Sequence, residues 1–405
     1  FAVWDQPIQP RSPKLKDLFY EHMRLPVQFK STKGVKSPSV DRDSLEKLEL
    51  YFHARPIIAA ILAYRDTAKQ LEFLSTSIDS DGRIRTSYNV AGTETGRWSS
   101  SSNAFGTGGN LQNWQDKLRR VLVADEGRKF AYIDLEQAES WIVGINCFRL
   151  FQDNSYINAI RSGDLHTVVA RMVWPNRPWT GDIKQDRVLA DDTFYREFSY
   201  RDLAKRGGHG TNYYGQPFTM ARHLKVKVQL MEEFQHGYFE AFPGIPQWHR
   251  WVAQELQLNS YIETLLGRGR HFFGRPNDDS TLREAIAYEP QSCVGDLLNL
   301  GAYRIWRRGP EYDIRLLAQL HDAVLIDYPD EPEREAERLN WAKSQLLVPL
   351  RISGEEFVIP SEAASGWNWA KASPSNPAGI AKFKGRESRP APSTSRLDRI
   401  IPEFH

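Results

Sequence analysis

The chain has 405 residues, with 53 Lys and Arg against 51 Asp and Glu and with 12 Trp, 16 Tyr and 20 Phe. That content excludes a mainly disordered chain and is enough for two or three domains with real cores. The longest apolar stretches, LLAQL before His321 and AVLI after Asp322, fall far short of the roughly 20 residues that cross a bilayer. Two cysteines, Cys147 and Cys293, exclude a disulfide scaffold or a zinc cluster and favour a reducing compartment. The AVWDQPIQP that follows Phe1 has neither the charge nor the apolar core of a secretory signal. A formal charge of +2 lacks the strongly cationic total that is the simplest footprint of phosphate binding, but a total is silent on where the charges sit.

Residues 1–40, with five prolines, read as an extended entry interrupted by one helix, KLKDLFYEHM at 14–23. Over 39–74, Leu45, Leu48, Tyr51 and Phe52, then Ile58, Ile61, Leu62, Tyr64 and Leu71, recur at helical spacing with a break at Pro56, so two long helices are expected. DSDG marks a turn within 75–83, IRTSYNV at 84–90 is short enough for a strand, and 91–113 is rich in Gly, Ser, Thr and Asn. KFAYIDL at 129–135 predicts a buried strand ending in an acid, and EQAESWIVGINCFRLF a helix packed back on it.

Helical pieces are expected in 151–200 around the turn WPNRPWTG, from Tyr200 to Tyr213, and over 222–240, closed by Pro243. IETLLGRGRHFF at 262–273 fits a hairpin turning at Gly267 to Gly269, and 284–306 a mostly helical run despite Pro290. RLLAQLHDAVLIDYP at 315–329 reads as strand, tight turn at His321-Asp322, strand, and 331–347 as a helix with a charged face. The Ser-, Pro-, Ala-, Lys- and Arg-rich 370–405 reads as an appended tail or an extended surface segment. Its Lys382, Lys384, Arg386 and Arg389 could equally touch a nucleic acid or only keep the tail soluble.

Three groupings carry chemistry. Asp134 ends one expected strand and Asp322 sits at a hairpin turn; separately each is an ordinary solvated acid. Together, on adjacent strands, they could hold two hard divalent ions. Arg201, Lys205 and His209 recur every four residues and fall in one helical stripe, which on spacing alone is as well a solvated face. Gly207 and Gly208 beside them each cost about 1 kcal/mol in a helix interior and invite a close-approach explanation, with Tyr213 and Tyr214 as a stacking or packing wall. TETGRWSSSSNAFGTGGNLQNW at 93–114 is either a surface loop or a close-fitting one that presses Arg97, Gln112 and Asn113 against a sugar-phosphate backbone. It is not a Walker loop, since no GKS or GKT follows its glycines.

Taken in order, TGRWSS with LQN (95–113), DLEQAE (134–139), RDLAKRGGHGTNYYG (201–215), REAIAYEPQ (283–291) and HDA (321–323) resemble one family, the family A DNA polymerases. Bacterial DNA polymerase I and many phage replicases belong to it. The resemblance covers about 11–370, and the KR, HG and NY of the third segment look more like viral, phage-type members.

It implies an α+β right-hand fold. The N-terminal entry would be 1–40, the thumb helices 41–90, the palm 91–149 and 261–369, the fingers 150–260 and a C-terminal extension 370–405, with Asp134 and Asp322 on an antiparallel palm sheet. The implied activity is that of a DNA-directed DNA polymerase with no 3′–5′ exonuclease domain in this chain. The primer 3′ hydroxyl attacks the α-phosphate of a deoxynucleoside triphosphate and pyrophosphate leaves.

By the same resemblance Asp134 and Asp322 bind two Mg2+ ions, Arg201 and Lys205 meet the triphosphate, and Lys205 protonates or neutralises the leaving pyrophosphate. His209 and Tyr213 belong to the nucleotide site, and Glu139, bonded to Tyr213, excludes a 2′ hydroxyl. Arg97 and Gln291 touch the minor groove, Gln112, Asn113 and Arg283 contact DNA, and His321 supports the primer terminus. The implied partners are primer-template DNA and deoxynucleotides, with a replication accessory protein or separate exonuclease beside them. The implied protein is a monomer with no membrane association, in the cytoplasm, that of the host if phage-encoded.

Several positions depart from the family pattern. His209 stands where Phe or Tyr is common, Ala323 replaces an acid, Ser140 a Leu and Ala287 an Asn, and Tyr214 is extra. Two other readings compete: an RNA-synthesising relative, opposed by Glu139, and a catalytically silent nucleic-acid binder, opposed by the intact Asp134, Asp322, Arg201 and Lys205.

Overall fold

The computed structural model describes residues 8–32 and 35–385. They divide into two compact units, one of residues up to Ser87 together with Ser101–Leu118, the other of Tyr88–Ser100 together with the residues from Arg119 onward.

In the first unit, a π-helical turn at Asp17–His22 lies inside the helix expected over 14–23. Helix α1 (Arg42–Leu48) starts where the Asp41 side chain accepts the amide of Ser44. Helix α2 (Arg55–Leu74) has Pro56 in its first turn, where a missing N–H costs nothing and the fixed φ favours entry. The break expected at the proline thus falls where α2 opens, while α1, expected to be long, has seven residues. Leu15, Phe19, Leu45, Leu48, Ile58, Ile61 and Leu62 form the core of this unit. Tyr64 and Leu71, on the face expected to be apolar and covered, are exposed, because beyond Leu62 α2 adds no side chain to that core.

The second unit is built on strand β1 (Arg128–Leu135), which runs into helix α3 (Ala138–Phe151). Helix α4 (Leu165–Val173) is capped by Asp164, which accepts the Thr167 amide. Helix α5 (Tyr200–Asn212) opens on a reciprocal capping box between Ser199 and Asp202. Helices α6 (Val228–Ala241) and α7 (Gly244–Asn259) follow, then the expected hairpin, which pairs Tyr261–Glu263 with Gly269–His271. Helix α8 (Asp279–Arg308) runs 30 residues straight through Pro290. Strands β2 (Arg315–Leu320) and β3 (Ala323–Pro329) form the second expected hairpin, and helix α9 is Pro332–Leu346. Strands β4 (Ser361–Gly366), β5 (Asn368–Lys371) and β6 (Gly379–Lys382) complete the unit.

One six-stranded sheet, in the order β2-β3-β1-β4-β6-β5, organises this unit. Its pairs are antiparallel except β5 with β6, which run parallel at the edge. The fold is thus α+β, with one parallel pair where an antiparallel sheet was expected. The strand expected over 84–90 shrinks to Ser87–Asn89. A larger departure is the stretch from 370, expected to trail away: Gly379–Lys382 is a sheet strand, anchored by buried Ile380 next to buried Trp369. Arg386 and Arg389 of that stretch lie outside the described residues. Among the described residues no helix is long and apolar enough to cross a membrane.

The close-approach explanation that Gly207 and Gly208 invited lies within the protein. A Cβ on Gly207 would sit 2.6 Å from the Phe234 ring, and one on Gly208 3.2 Å from Tyr238, both rings belonging to α6 and both fully buried. The two glycines let α5 lie down on α6. Behind the sheet, α8 meets α3 at a buried charge: Glu289, fully buried, has the Arg149 guanidinium 3.5 Å away. Burial outweighs that attraction and pushes the Glu289 carboxyl up to about 7.

Two predictions follow from this packing. Gly207→Ala should destabilise the protein by about 1–3 kcal/mol in urea unfolding, although helix propensity alone predicts a gain of about 1 kcal/mol. Because the folded pKa of Glu289 lies above its ordinary 4.5, the folded state holds the proton more tightly. Its contribution to stability is therefore present at low pH and declines between about 4.5 and about 7, at up to about 1.4 kcal/mol per pH unit. Glu289→Gln should flatten that decline in unfolding curves recorded across the window.

Candidate active site

Asp134 is the penultimate residue of β1, and the register sets it directly across from Ala323 at the start of β3. Asp322 occupies the preceding hairpin turn, where His321 takes a left-handed φ of 49°. The backbone amide of Leu135 donates to the Asp322 carbonyl at 3.1 Å, which ties the two acid-bearing segments together. Burial raises the Asp134 carboxyl to about 7, reinforced by the negative charges of Asp322, Glu362 and Glu136. Burial also raises Asp322, against the pull of Arg97.

Arg97 is the main counter-charge. Its Nη2 donates to Asp322 Oδ1 at 2.9 Å and to Glu139 Oε1 at 2.6 Å. Helix α8 makes this reach possible. The Asn299 amide holds the Gly96 carbonyl at 3.0 Å, and the missing side chain of Gly295 leaves room for the Arg97 stem, which a Cβ there would meet at 3.2 Å. Glu139, in the first turn of α3, uses its other oxygen to accept from the Tyr213 hydroxyl at the end of α5. Burial and the Glu139 charge hold that hydroxyl far above its ordinary pKa, so it remains a donor. The expected bond between Glu139 and Tyr213 is present.

Asp134, Glu139, His166, Lys205, His209 and Asp322 line one cleft of about 280 Å³. Lys205 is exposed and makes no ion pair among the described residues, and His209 meets the Tyr213 ring edge-on at 5.0 Å. Arg201, on the same stripe of α5, is held elsewhere: its Nε and Nη2 bond the two oxygens of Asp164 at 3.0 and 3.1 Å. Gln291 lies on α8, one turn before Gly295, and Arg283 two turns earlier on its exposed side, 3.9 Å from Asp279. His321 is exposed, its carbonyl taken by the Gln319 amide at 3.1 Å. Gln112 and Asn113 belong to the first unit, in the 3-10 turn Leu111–Asn113.

His166 is the cleft residue that sequence reasoning missed. Burial, helped by the nearby Arg201 charge, lowers its pKa to about 4, so near neutral pH it is an uncharged ring. The signal was modest: Asp164 as a cap three residues before Thr167, with a histidine between them in the first turn of a short helix.

Among the described residues no group of three or more His, Cys, Asp or Glu side chains is arranged to hold a metal ion. The donor chemistry of the Asp134 and Asp322 pair nevertheless suits Mg2+. This ion takes oxygen ligands, keeps several waters and is commonly bound through one or two carboxylates plus substrate phosphates.

Comparison with known proteins bears on the family and the fold. The family model described as DNA polymerase family A matches residues 1–356. DNA polymerase I of Treponema pallidum is 28% identical over 368 residues, covering 85% of this chain and 34% of that protein. The thermostable DNA polymerase I of Thermus aquaticus is 27% identical over 379 residues, covering 89% and 41%. The chain thus spans well under half the length of these curated relatives. A solved structure described as the POL domain of Pol1 from M. smegmatis, in complex with DNA primer-template and dNTP, superposes with a TM-score of 0.71 at 23% identity. The match covers 91% of this chain and 62% of that one.

Replacing Arg97 tests the electrostatics directly. Arg97→Ala should cost about 1–3 kcal/mol at pH 7, because two partly buried carboxylates lose their counter-charge. The loss should shrink as the pH is lowered and the Asp322 carboxyl, which burial raises, takes up its proton, as read by thermal melts at pH 5 and pH 7.

Proposed function

Because the chain belongs to DNA polymerase family A, we propose that it catalyses template-directed addition of deoxynucleotides to a primer 3′ hydroxyl. The observation that carries this reading is the cleft itself. Two carboxylates on adjoining β segments line it together with helix-borne Lys205, His166 and Glu139, the last held by the Tyr213 hydroxyl.

Asp134 and Asp322 would hold two magnesium ions, which when bound activate the attacking oxygen and neutralise the leaving phosphate. Lys205, which makes no ion pair among the described residues, presents its ammonium to the triphosphate tail and can neutralise or protonate the departing pyrophosphate. The neutral His166 ring adds an N–H donor to the phosphates without adding charge. Arg201 acts through Asp164, bracing α5 against the start of α4, instead of reaching the phosphates itself.

Glu139 is bonded at both oxygens, to Arg97 and to Tyr213. A carboxylate so fixed cannot swing away from a 2′ hydroxyl, and this gives the site its preference for deoxyribose. His209 and Tyr213 would form the side of the pocket that closes on the nascent pair. Arg97, Arg283, Gln291 and His321 would meet the primer-template, together with Gln112 and Asn113 from the first unit.

The bound DNA and dNTP named for the M. smegmatis structure support the proposed substrates. The KR, HG and NY version of the α5 segment supports a phage-type origin, with action as a monomer in the host cytoplasm beside an accessory protein or a separate exonuclease. The step assigned to these 405 residues is nucleotide addition.

Primer extension with Mg2+ and separate dNTP and NTP sets tests the reading. Wild type should extend with dNTPs, and Asp322→Ala should lower the rate at least about 100-fold. Glu139→Ala should raise NTP use relative to dNTP use about tenfold or more. No extension on any primed template would overturn it.

A further inference from the structure

The C-terminal strand β6 was not expected from the sequence, and it brings a charge to the acid-bearing face of the sheet. Across β1, Asp134 has two register partners: Ala323 of β3 on one flank and Glu362 of β4 on the other. Residues directly opposite in a sheet project to the same face. Ala323, Asp134 and Glu362 therefore form one row, in which the β3 flank offers a methyl group and the β4 flank a carboxylate.

Two residues further along β4, and so on the same face, Ala364 pairs with Lys382 of β6. The Lys382 ammonium reaches diagonally to Glu362 Oε2. The order across three strands is acid, acid, base.

This pair is not needed to hold the sheet together. The Lys382 side chain is 72% exposed and that of Glu362 41%, and exposed ion pairs contribute about 0–1 kcal/mol. Its position matters more than its strength. Glu362 is one of the carboxylates whose charge acts on Asp134, Glu136 and Lys371 being the other charged groups beside Asp322 that do so.

Resting on the polymerase reading above, we infer that Glu362 and Lys382 are a positioning pair that sets the divalent-cation affinity of the Asp134 and Asp322 site. Glu362 deepens the negative potential beside Asp134, and Lys382, carried in by β6, partly cancels it. Neither residue need touch the cation. Glu362 is one strand and Lys382 two strands from Asp134, about 5 and 10 Å at ordinary strand spacing, which is within or comparable to the screening length of about 8–10 Å.

The test is Mn2+ binding, measured from the free-ion electron paramagnetic resonance signal. The protein is held with a dideoxy-terminated primer-template and the matching dNTP, so that no turnover occurs. Glu362→Gln should weaken Mn2+ binding about three- to tenfold, and Lys382→Gln should tighten it by a similar factor. Glu362→Asp, which keeps the charge, should stay within about twofold of wild type.

A merely structural pair would move both Gln variants the same way, so shifts of one sign, or no shift in either, overturn the inference. Primer extension by the wild type, run in parallel, separates the two claims. Extension with unmoved Mn2+ affinity overturns the inference and leaves the polymerase reading intact; no extension overturns both.

Discussion

The second unit is arranged around the cost of placing Asp134 and Asp322 close together and largely out of water. Burial first, and the neighbouring negative charges after it, oppose ionisation, which is why the Asp134 carboxyl rises to about 7. A fold keeps such a pair only if neighbouring groups over-determine its geometry. Here β1 sits between β3 and β4, so that Asp134 is fixed by cross-strand pairs on both sides, and the hairpin turn delivers Asp322 beside it. Arg97 offsets part of the repulsion by bonding Asp322 and Glu139 together. The surplus of negative charge that remains is the physical basis for the cation site proposed above.

Three helices converge on that spot, each for its own packing reason. Helix α3 follows β1 after only a short turn, so Glu139 stands within reach of the strand end. Helix α5 owes its depth to Gly207 and Gly208, since any side chain there would lift it off Phe234 and Tyr238 and carry Lys205, His209 and Tyr213 outward with it. Helix α8 braces the Arg97 segment through Asn299 and Gly295. The chemistry of the cleft therefore depends on apolar contacts that lie outside it, and a lost methyl-sized fit on α6 would be felt at Lys205.

How far the sequence disclosed this depends on the kind of signal. KFAYIDL and the arms around His321-Asp322 were legible because long apolar runs bounded by acids have few other solutions. The motif order singled out Asp134, Asp322 and Lys205, which line one cleft. Strands β4 and β6, SEAASG and GIAK, were not legible: both are short and made mostly of small residues, with little strand propensity or alternation. They form because β1 and β5 offer them ladder partners, which is tertiary information. The engagement of Arg201 by Asp164 was hidden for the same reason, since the acid lies on another helix. The two glycines of α5 announced a close approach without revealing that its partner was α6. Pro56 is a strong local signal that was legible: the break expected there falls between α1 and α2, and the proline stands in the first turn of α2.

The net charge of +2 can now be resolved into parts. Around the cleft, Asp134, Asp322, Glu139, Glu136 and Glu362 are set against Arg97, Lys205, Lys371 and Lys382 within one sheet face and its adjoining helices. Opposite charges this close cancel in any total and at distances beyond the screening length of about 10 Å, yet within the cleft they leave strong local fields. A charged molecule that approaches the cleft meets those local fields, not the sum. Near-neutrality overall is then no argument against a nucleic-acid partner: it is what results when buried acids and exposed bases share the same small region.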